Sequence, residues 1–403
     1  MSLEITPVRG RAELKEFVRL PERLHAGTPW IIQLRIERYA YLDRRLGAFF
    51  KDGDAQYFLA RKHGRVVGRI SAHISNKLNR YQGTRWGLFG FLDFEEDQAI
   101  LDALLAAAQE WLQQRGCDRM VGPCSFVPDD ELGVLIHGYE LEPMIRQGWN
   151  PPYYRELIEA AGLVKAVDVF HWELDISDRS ERMNPMLPQL AEETRQKYGF
   201  KVRRMTRASL WRDLDDFIEI YNAAWSKNWC FVPYEKSDKP QLWADFSLVF
   251  ASEWFMICEN PEGETVGMAV TIPDPNQYQE RMGGKLLPFG WWYLVNARRY
   301  IDRARVGFLG VKPEYQHTGA GALLYMEHYN TAYPNSKITH GEAGWVLETN
   351  RSMNRGLEYM GGHITKVFRA YERVWEEGAE PAGPPARIRR YQPPESVLSA
   401  PIQ

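Results

Sequence analysis

A chain of 403 residues with net charge −3 and a pI near 6.4 has length for two cores and carries no broad basic field for nucleic acid. Its four cysteines, Cys117, Cys124, Cys230 and Cys258, form no C-x-x-C pair and have no His at ligand spacing. They read as buried thiols of a reducing cytoplasm, with no metal site and no disulfide framework, and neither a signal peptide at Met1–Ile5 nor an apolar run of membrane-span length is present.

In chain order, Tyr57–Ile70 alternates apolar and polar residues around a glycine turn, as paired strands do. A strand is predicted over Trp86–Leu92, then a short helix over Asn150–Leu163 and the strand Ala166–Trp172. The polar stretch 176–188 lacks periodicity and marks a boundary. Beyond it the pattern predicts a strand near Lys201–Met205 and helices over Leu210–Trp225 and Gln241–Phe250. A second hairpin follows over 254–272, then an insertion from Asp274 to about Tyr300. A strand over 305–311, a loop and helix over 316–333, a strand over 337–342, a helix over 350–360 and final strands over 363–375 complete the series. Hairpin, strand, short helix and strand thus recur in one order and at one spacing, the mark of a duplicated α+β unit. The division is 1–178, 189–376 and a proline-rich tail, 377–403.

The most informative stretch is Val306 to Met326. An apolar strand ends at Pro313, and Gln316-His317-Thr318-Gly319-Ala320-Gly321 opens an amphipathic helix. Such a junction binds anions, because free backbone N–H groups and the positive end of the helix dipole meet where glycine lets a phosphate approach. The glycines are followed by no Lys-Ser/Thr, so this is not a P-loop, and no G-x-G-x-x-G is present.

The Q-x-x-G-x-G spacing, with Asn350 eleven residues before Gly361 and an aromatic strand pair after it, resembles the GNAT superfamily of acyl-CoA-dependent N-acyltransferases. The resemblance covers 189–376 closely and Leu3 to about Leu174 in element order. It implies an α+β fold of two tandem units, each a mostly antiparallel mixed sheet flanked by helices. It also implies acetyl-CoA or another acyl-CoA as co-substrate. Gln316, His317, Thr318, Gly319, Ala320 and Gly321 would hold the diphosphate. Leu309, Gly310 and Val311 would present backbone groups to the pantetheine and the thioester carbonyl, and the next strand would splay away to admit the pantetheine arm.

Only the second unit has this loop. In the first, Asp93-Phe94-Glu95-Glu96-Asp97 follows the matching strand, and two like charges ~4 Å apart repel by ~4 kcal/mol at a dielectric near 20. A helix that caps itself without a ligand is expected there.

For the base that takes the amine proton, the candidates are Glu348, Glu342 and His340, with a first-turn or structural role as the alternative for each. Many family members place a Tyr seven residues after the Asn to serve the departing thiolate; here it is Leu357. Asn354 and Asn350, on the same helix face, are the expected substitutes. Arg298, Arg299, Arg303 and Arg305 read as a solvated basic face or as contacts to the cofactor's 3′-phosphate. Aromatics at 225–234 and 289–293 point to an apolar, lipid-like small-molecule amine acceptor, a longer acyl group, or a seam between the units. The expectation is an acyltransferase active in the second unit; the alternative is a non-catalytic acyl-CoA-binding or scaffolding protein.

Overall fold

The computed structural model describes residues 3–175, 183–332, 337–394 and 397. Its strands are β1 (Leu3–Pro7), β2 (Gly53–Lys62), β3 (Arg65–Ser75), β4 (Trp86–Phe94), β5 (Arg119–Gly122), β6 (Val134–His137), β7 (Val164–Asp175), β8 (Lys201–Arg204), β9 (Phe255–Glu259), β10 (Thr265–Pro273), β11 (Arg303–Val311), β12 (His340–Leu347) and β13 (His363–Val374). The chain forms two compact units, Met1–Val169 with Asn276–Asn296 and Lys366–Gln403, and Phe170–Pro275 with Ala297–Thr365. Each holds an α+β arrangement around a mixed sheet, as expected. Of the boundary stretch 176–188, residues 176–182 lie outside the described residues. The rest leads into a helix, Met186–Tyr198, that the sequence reading did not include.

In the first unit the strand order is β1-β2-β3-β4-β5-β13, with β6 beside β13. The β2–β3 hairpin pairs Gly53↔Ser75 through Lys62↔Arg65. Buried Phe17, Tyr57, Phe91 and Phe126 form one core cluster, with Phe49 stacked on Phe126 at 4.3 Å. β4 and β5 run parallel from Trp86↔Arg119 to Leu88↔Val121. Beyond that ladder the chain stays against β4: Cys124 N donates to Phe89 O at 2.8 Å, and a Cβ on Gly90 would meet Cys124 O at 1.7 Å. The helix after β4, Gln98–Gln113, is capped by Asp97, whose carboxylate accepts from Ala99 N. Glu95 is ion-paired with Arg23 and Arg65. The start of the 377–403 tail is tied down, since Ala382 N donates to the buried Glu372 carboxylate. Residues 395–396 and 398–403 of that tail lie outside the described residues.

In the second unit the order is β7-β12-β11-β10-β9-β8. The helix Leu210–Ala224 buries Leu210, Leu214, Phe217, Ile218 and Tyr221, an i, i+4, i+7, i+8, i+11 stripe, onto one face of the sheet. The helix Ala320–Ala332 covers the other face. On it His328 is buried; its Nδ1 stands 2.8 Å from Leu324 O and its Nε2 2.7 Å from Thr271 Oγ1. A carbonyl can only accept, so Nδ1 carries the hydrogen and the Thr271 hydroxyl donates to Nε2. The four cysteines are buried free thiols.

Burial pushes the pKa of His328 down to about 4, and that of His73 in the first unit to about 3. The unfolded chain, near 6.5, therefore binds more protons than the native state below that value. Stability should be full above pH 6.5 and fall by about 1.4 kcal/mol per pH unit per residue as pH drops toward 4. Urea midpoints measured from pH 7 to 5 should show this slope, and His328→Gln should flatten it. A slope unaltered by the substitution would contradict a neutral native His328.

Candidate active site

The site of interest is a fork between parallel strands. The β11–β12 ladder runs from Arg303↔His340 to Val306↔Ala343 and stops there among the described residues, although β11 continues to Val311 and β12 to Leu347. On its other side β11 stays paired with β10 to Val311, with a shift that leaves Gly307 as a bulge between Val270↔Phe308 and Thr271↔Val306. Leu309, Gly310 and Val311 thus line the open part of the fork.

The bulge sorts the side chains of β11 onto two faces. Ala304, Val306 and Leu309 face the helix Ala320–Ala332. With Ala343, Tyr325 and Leu357 they line an apolar pocket. Phe308 faces the other way, against Phe217, Tyr221, Trp225 and Phe246. Tyr221 also gathers Phe231 and Tyr234, so Trp225, Phe231 and Tyr234 of that loop pack within their own unit.

On the Phe308 face, three adjacent strands place a buried charged row at the apex. His171 of β7, Glu342 of β12 and Arg305 of β11 are each at most 5% exposed. His171 Nδ1 lies 3.1 Å from Glu342 Oε1, and Arg305 Nε 3.7 Å from the same oxygen. Arg305 also donates from Nε and Nη2 to Gly344 O, at 3.1 and 2.9 Å. The His171 ring packs so closely on Gly344 that a Cβ there would stand 2.4 Å from Nδ1.

The predicted loop is a 3₁₀ turn, Pro313–Thr318, then Gly319 in the left-handed region at φ +87° and a helix starting at Ala320. Gln316 Nε2 folds back to Val311 O, His317 is exposed, and Thr318 O accepts from Thr194 Oγ1 at 2.9 Å. The first helical bond after the turn is Leu323 N to Gly319 O, so the amides of Ala320 and Gly321 head the helix. Around Gly321 there is open space, as a phosphate cradle requires.

Among the candidate catalytic residues, Glu342 joins the buried row. His340 does not; it is exposed at the start of β12, with Thr339 Oγ1 2.8 Å from Nδ1. Glu348 is buried in the turn after β12. Asn350 caps the helix Arg351–Tyr359, its Oδ1 accepting from Met353 N and Ser352 Oγ. The expectation for Asn354 is corrected. It is fully buried, Oδ1 accepts from Trp172 Nε1, and Nδ2 donates to Leu347 O and Asn350 O. Both amide hydrogens are used, so Asn354 clips β12 to its helix and has none for a thiolate. The basic-face reading is also corrected: Arg305 is buried and Arg303 is paired with buried Asp274 at 2.8 Å, leaving Arg298 and Arg299 exposed. The sequence reading missed His171. Its strand was recognised, but only long-range pairing brings it to Glu342, 171 residues away.

No protein-family model matches the chain. The bacterial ceramide synthase of Caulobacter vibrioides (strain NA1000 / CB15N) is 33% identical over 384 residues, 92% of this chain and 97% of that one. Protein YghO of Escherichia coli (strain K12) is 30% identical over 371 residues, 90% and 93% of the two chains. Among solved structures, a tandem GNAT protein from the clavulanic acid biosynthesis pathway matches with a TM-score of 0.53 at 14% identity, covering 95% of this chain and 100% of that one. At that identity the likeness is one of fold.

Gly321→Glu would set a carboxylate against a bound diphosphate in open space and should weaken CoA binding at least 100-fold by calorimetry, with the melting temperature unchanged. Gly319→Glu is a poorer probe, because its Cβ would stand 2.2 Å from Thr194 Oγ1. Undiminished affinity in the folded Gly321 variant would remove the phosphate assignment.

Proposed function

Because the chain belongs to the family of the bacterial ceramide synthase and has a GNAT-like fold, we propose that it joins a long acyl group from acyl-CoA to the amine of a long-chain amino alcohol, giving a ceramide-type amide. The chain is an acyltransferase rather than a non-catalytic binder; the chain lengths and the acceptor are this proposal's content. One observation carries it: the fork has an apolar pocket on one face of its apex and a buried imidazole–carboxylate pair on the other.

The apolar pocket suits an acyl tail. Leu357 lines it at the position where many relatives in the superfamily carry Tyr, and Met353 and Met360 add side chains that adapt to a chain's shape. Acetyl-CoA would leave that surface unused. Gln316 to Gly321 are proposed to hold the diphosphate, and Leu309 to Val311 the pantetheine arm and thioester carbonyl. Residues 189–376 form the catalytic repeat in this reading, joined by the end of β7 that carries His171, and the rest of 1–178 is its counterpart without a cofactor site.

His171 is the proposed base. The Glu342 carboxylate accepts from Nδ1–H, so the lone pair is on Nε2. The amine nitrogen attacks the thioester carbon, a C–N bond forms and the C–S bond breaks. Nε2 takes the proton lost by nitrogen and returns it to the departing thiolate. Arg305 lends opposite charge to Glu342 and fixes Gly344. Glu348, at the other end of β12, is the alternative base.

Palmitoyl-CoA with sphinganine is the test pair, read by thiol release and by mass spectrometry of the amide. The wild-type enzyme should prefer palmitoyl-CoA to acetyl-CoA. His171→Asn retains a donor toward Glu342 but has no base beyond it, and should lower kcat/KM about 100-fold or more with acyl-CoA affinity kept. Turnover of acetyl-CoA alone would overturn the acyl-pocket assignment, and normal turnover by His171→Asn would overturn the base.

A further inference from the structure

The insertion between β10 and β11 carries an apolar feature that the transfer reaction does not use. The helix Gly290–Val295 and the loop before it expose Leu287 (71%), Phe289 (77%), Trp291 (45%), Trp292 (48%), Leu294 (48%) and Val295 (73%). At about 100° per residue, the four exposed helical members fall within an arc of about 160°, one continuous apolar face with Gly290 buried behind it. An apolar face that points outward, with no described element over it, has the form of a helix lying in a membrane interface, its apolar side toward the acyl boundary. The segment is also self-supporting: Trp291 N donates to Leu286 O at 2.8 Å and Trp291 Nε1 to Pro288 O at 2.9 Å.

Charge selects the medium. From Gly283 to Tyr300 the sequence contains Lys285, Arg298 and Arg299 and no acidic residue. Three cations beside Trp, Tyr and Phe match the chemistry of a membrane interface, where aromatic rings sit at headgroup depth and basic residues meet anionic lipid. No described helix is long and apolar enough to cross a membrane, which limits the contact to the surface layer. A second copy of the chain is a weaker fit. Stable interfaces between proteins need about 800 Å² per partner with polar groups at the rim, and a 6-residue helix with its preceding loop is small against that area.

We propose that residues 285–299 form a wedge that docks the protein on anionic lipid surfaces, inserting Phe289, Trp291 and Trp292 to headgroup depth. The inference goes beyond the transferase reading and holds whatever the acceptor is.

Co-sedimentation with vesicles of phosphatidylcholine alone, and of phosphatidylcholine with about one-third phosphatidylglycerol, tests it on the full chain. Wild-type protein should pellet with the anionic vesicles, less so as salt rises from about 0.1 M to about 1 M. The triple variant Phe289→Ser, Trp291→Ser, Trp292→Ser should bind at least tenfold more weakly with an unchanged melting temperature. Lys285→Glu with Arg298→Glu and Arg299→Glu should do the same, an independent arm if the first variant folds poorly. The proposal is overturned if wild type stays in the supernatant with both vesicles, or if both variants bind like wild type. It is also overturned if the patch instead mediates a lipid-free dimer that the serine variant abolishes in sedimentation velocity.

Discussion

Two parallel strands that part in mid-sheet must answer for the backbone groups they no longer share. At the β11–β12 fork the answer is Arg305. Its guanidinium takes Gly344 O at 2.9 and 3.1 Å, just past the last paired residues, Val306 and Ala343. Burying a guanidinium costs several kcal/mol unless it is paired, and Glu342 supplies the opposite charge. Glu342 in turn fixes the His171 ring. The groups that satisfy the fork's backbone therefore adjoin the imidazole proposed to move a proton at its apex. On the other face, Leu357 and its neighbours make the surface apolar, so position and polarity are divided by the sheet itself.

The first unit shows the same strand pair without that arrangement. There the chain after β5 remains bonded to β4 through Cys124 N, and Phe126 fills the adjoining space among Phe49, Phe91 and Tyr41. Its helix N-terminus is capped by Asp97, and Glu95 is neutralised by two arginines. The helix N-terminus is thus met by the unit's own groups, while a cavity of about 120 Å³ lined by Phe91, Asp93, Cys124 and Glu131 remains beside the end of β4. One scaffold is present twice, and the proposed chemistry is assigned to the copy whose strands part at β11 and β12.

How far the sequence disclosed this depends on the range of each interaction. Gln316 to Gly321 was legible because a strand end, a glycine turn and a helix start are local. The duplicated α+β order was legible for the same reason, and a self-capped helix followed from the acidic run Asp93–Asp97 before apolar residues, with Asp97 the cap. His171 was not, since its meaning comes from β7 lying beside β12. Asn354 misled because helix phase placed it toward β12 but said nothing of the Trp172 indole, which with two carbonyls occupies its amide. Arg303 and Arg305 looked like a solvated pair until Asp274 and Glu342 were found opposite them. The helix Met186–Tyr198 escaped because its polar approach resembles a linker, and its contact with the loop, Thr194 Oγ1 to Thr318 O, joins residues 124 apart.

The central claim is that one fork per chain is open to an acyl-CoA. Titrating the full chain with CoA in a calorimeter measures this without knowledge of the acceptor. The account predicts one site per chain, with heat and stoichiometry unchanged in a Glu95→Lys, Glu96→Lys variant; two equivalent sites per chain would contradict it.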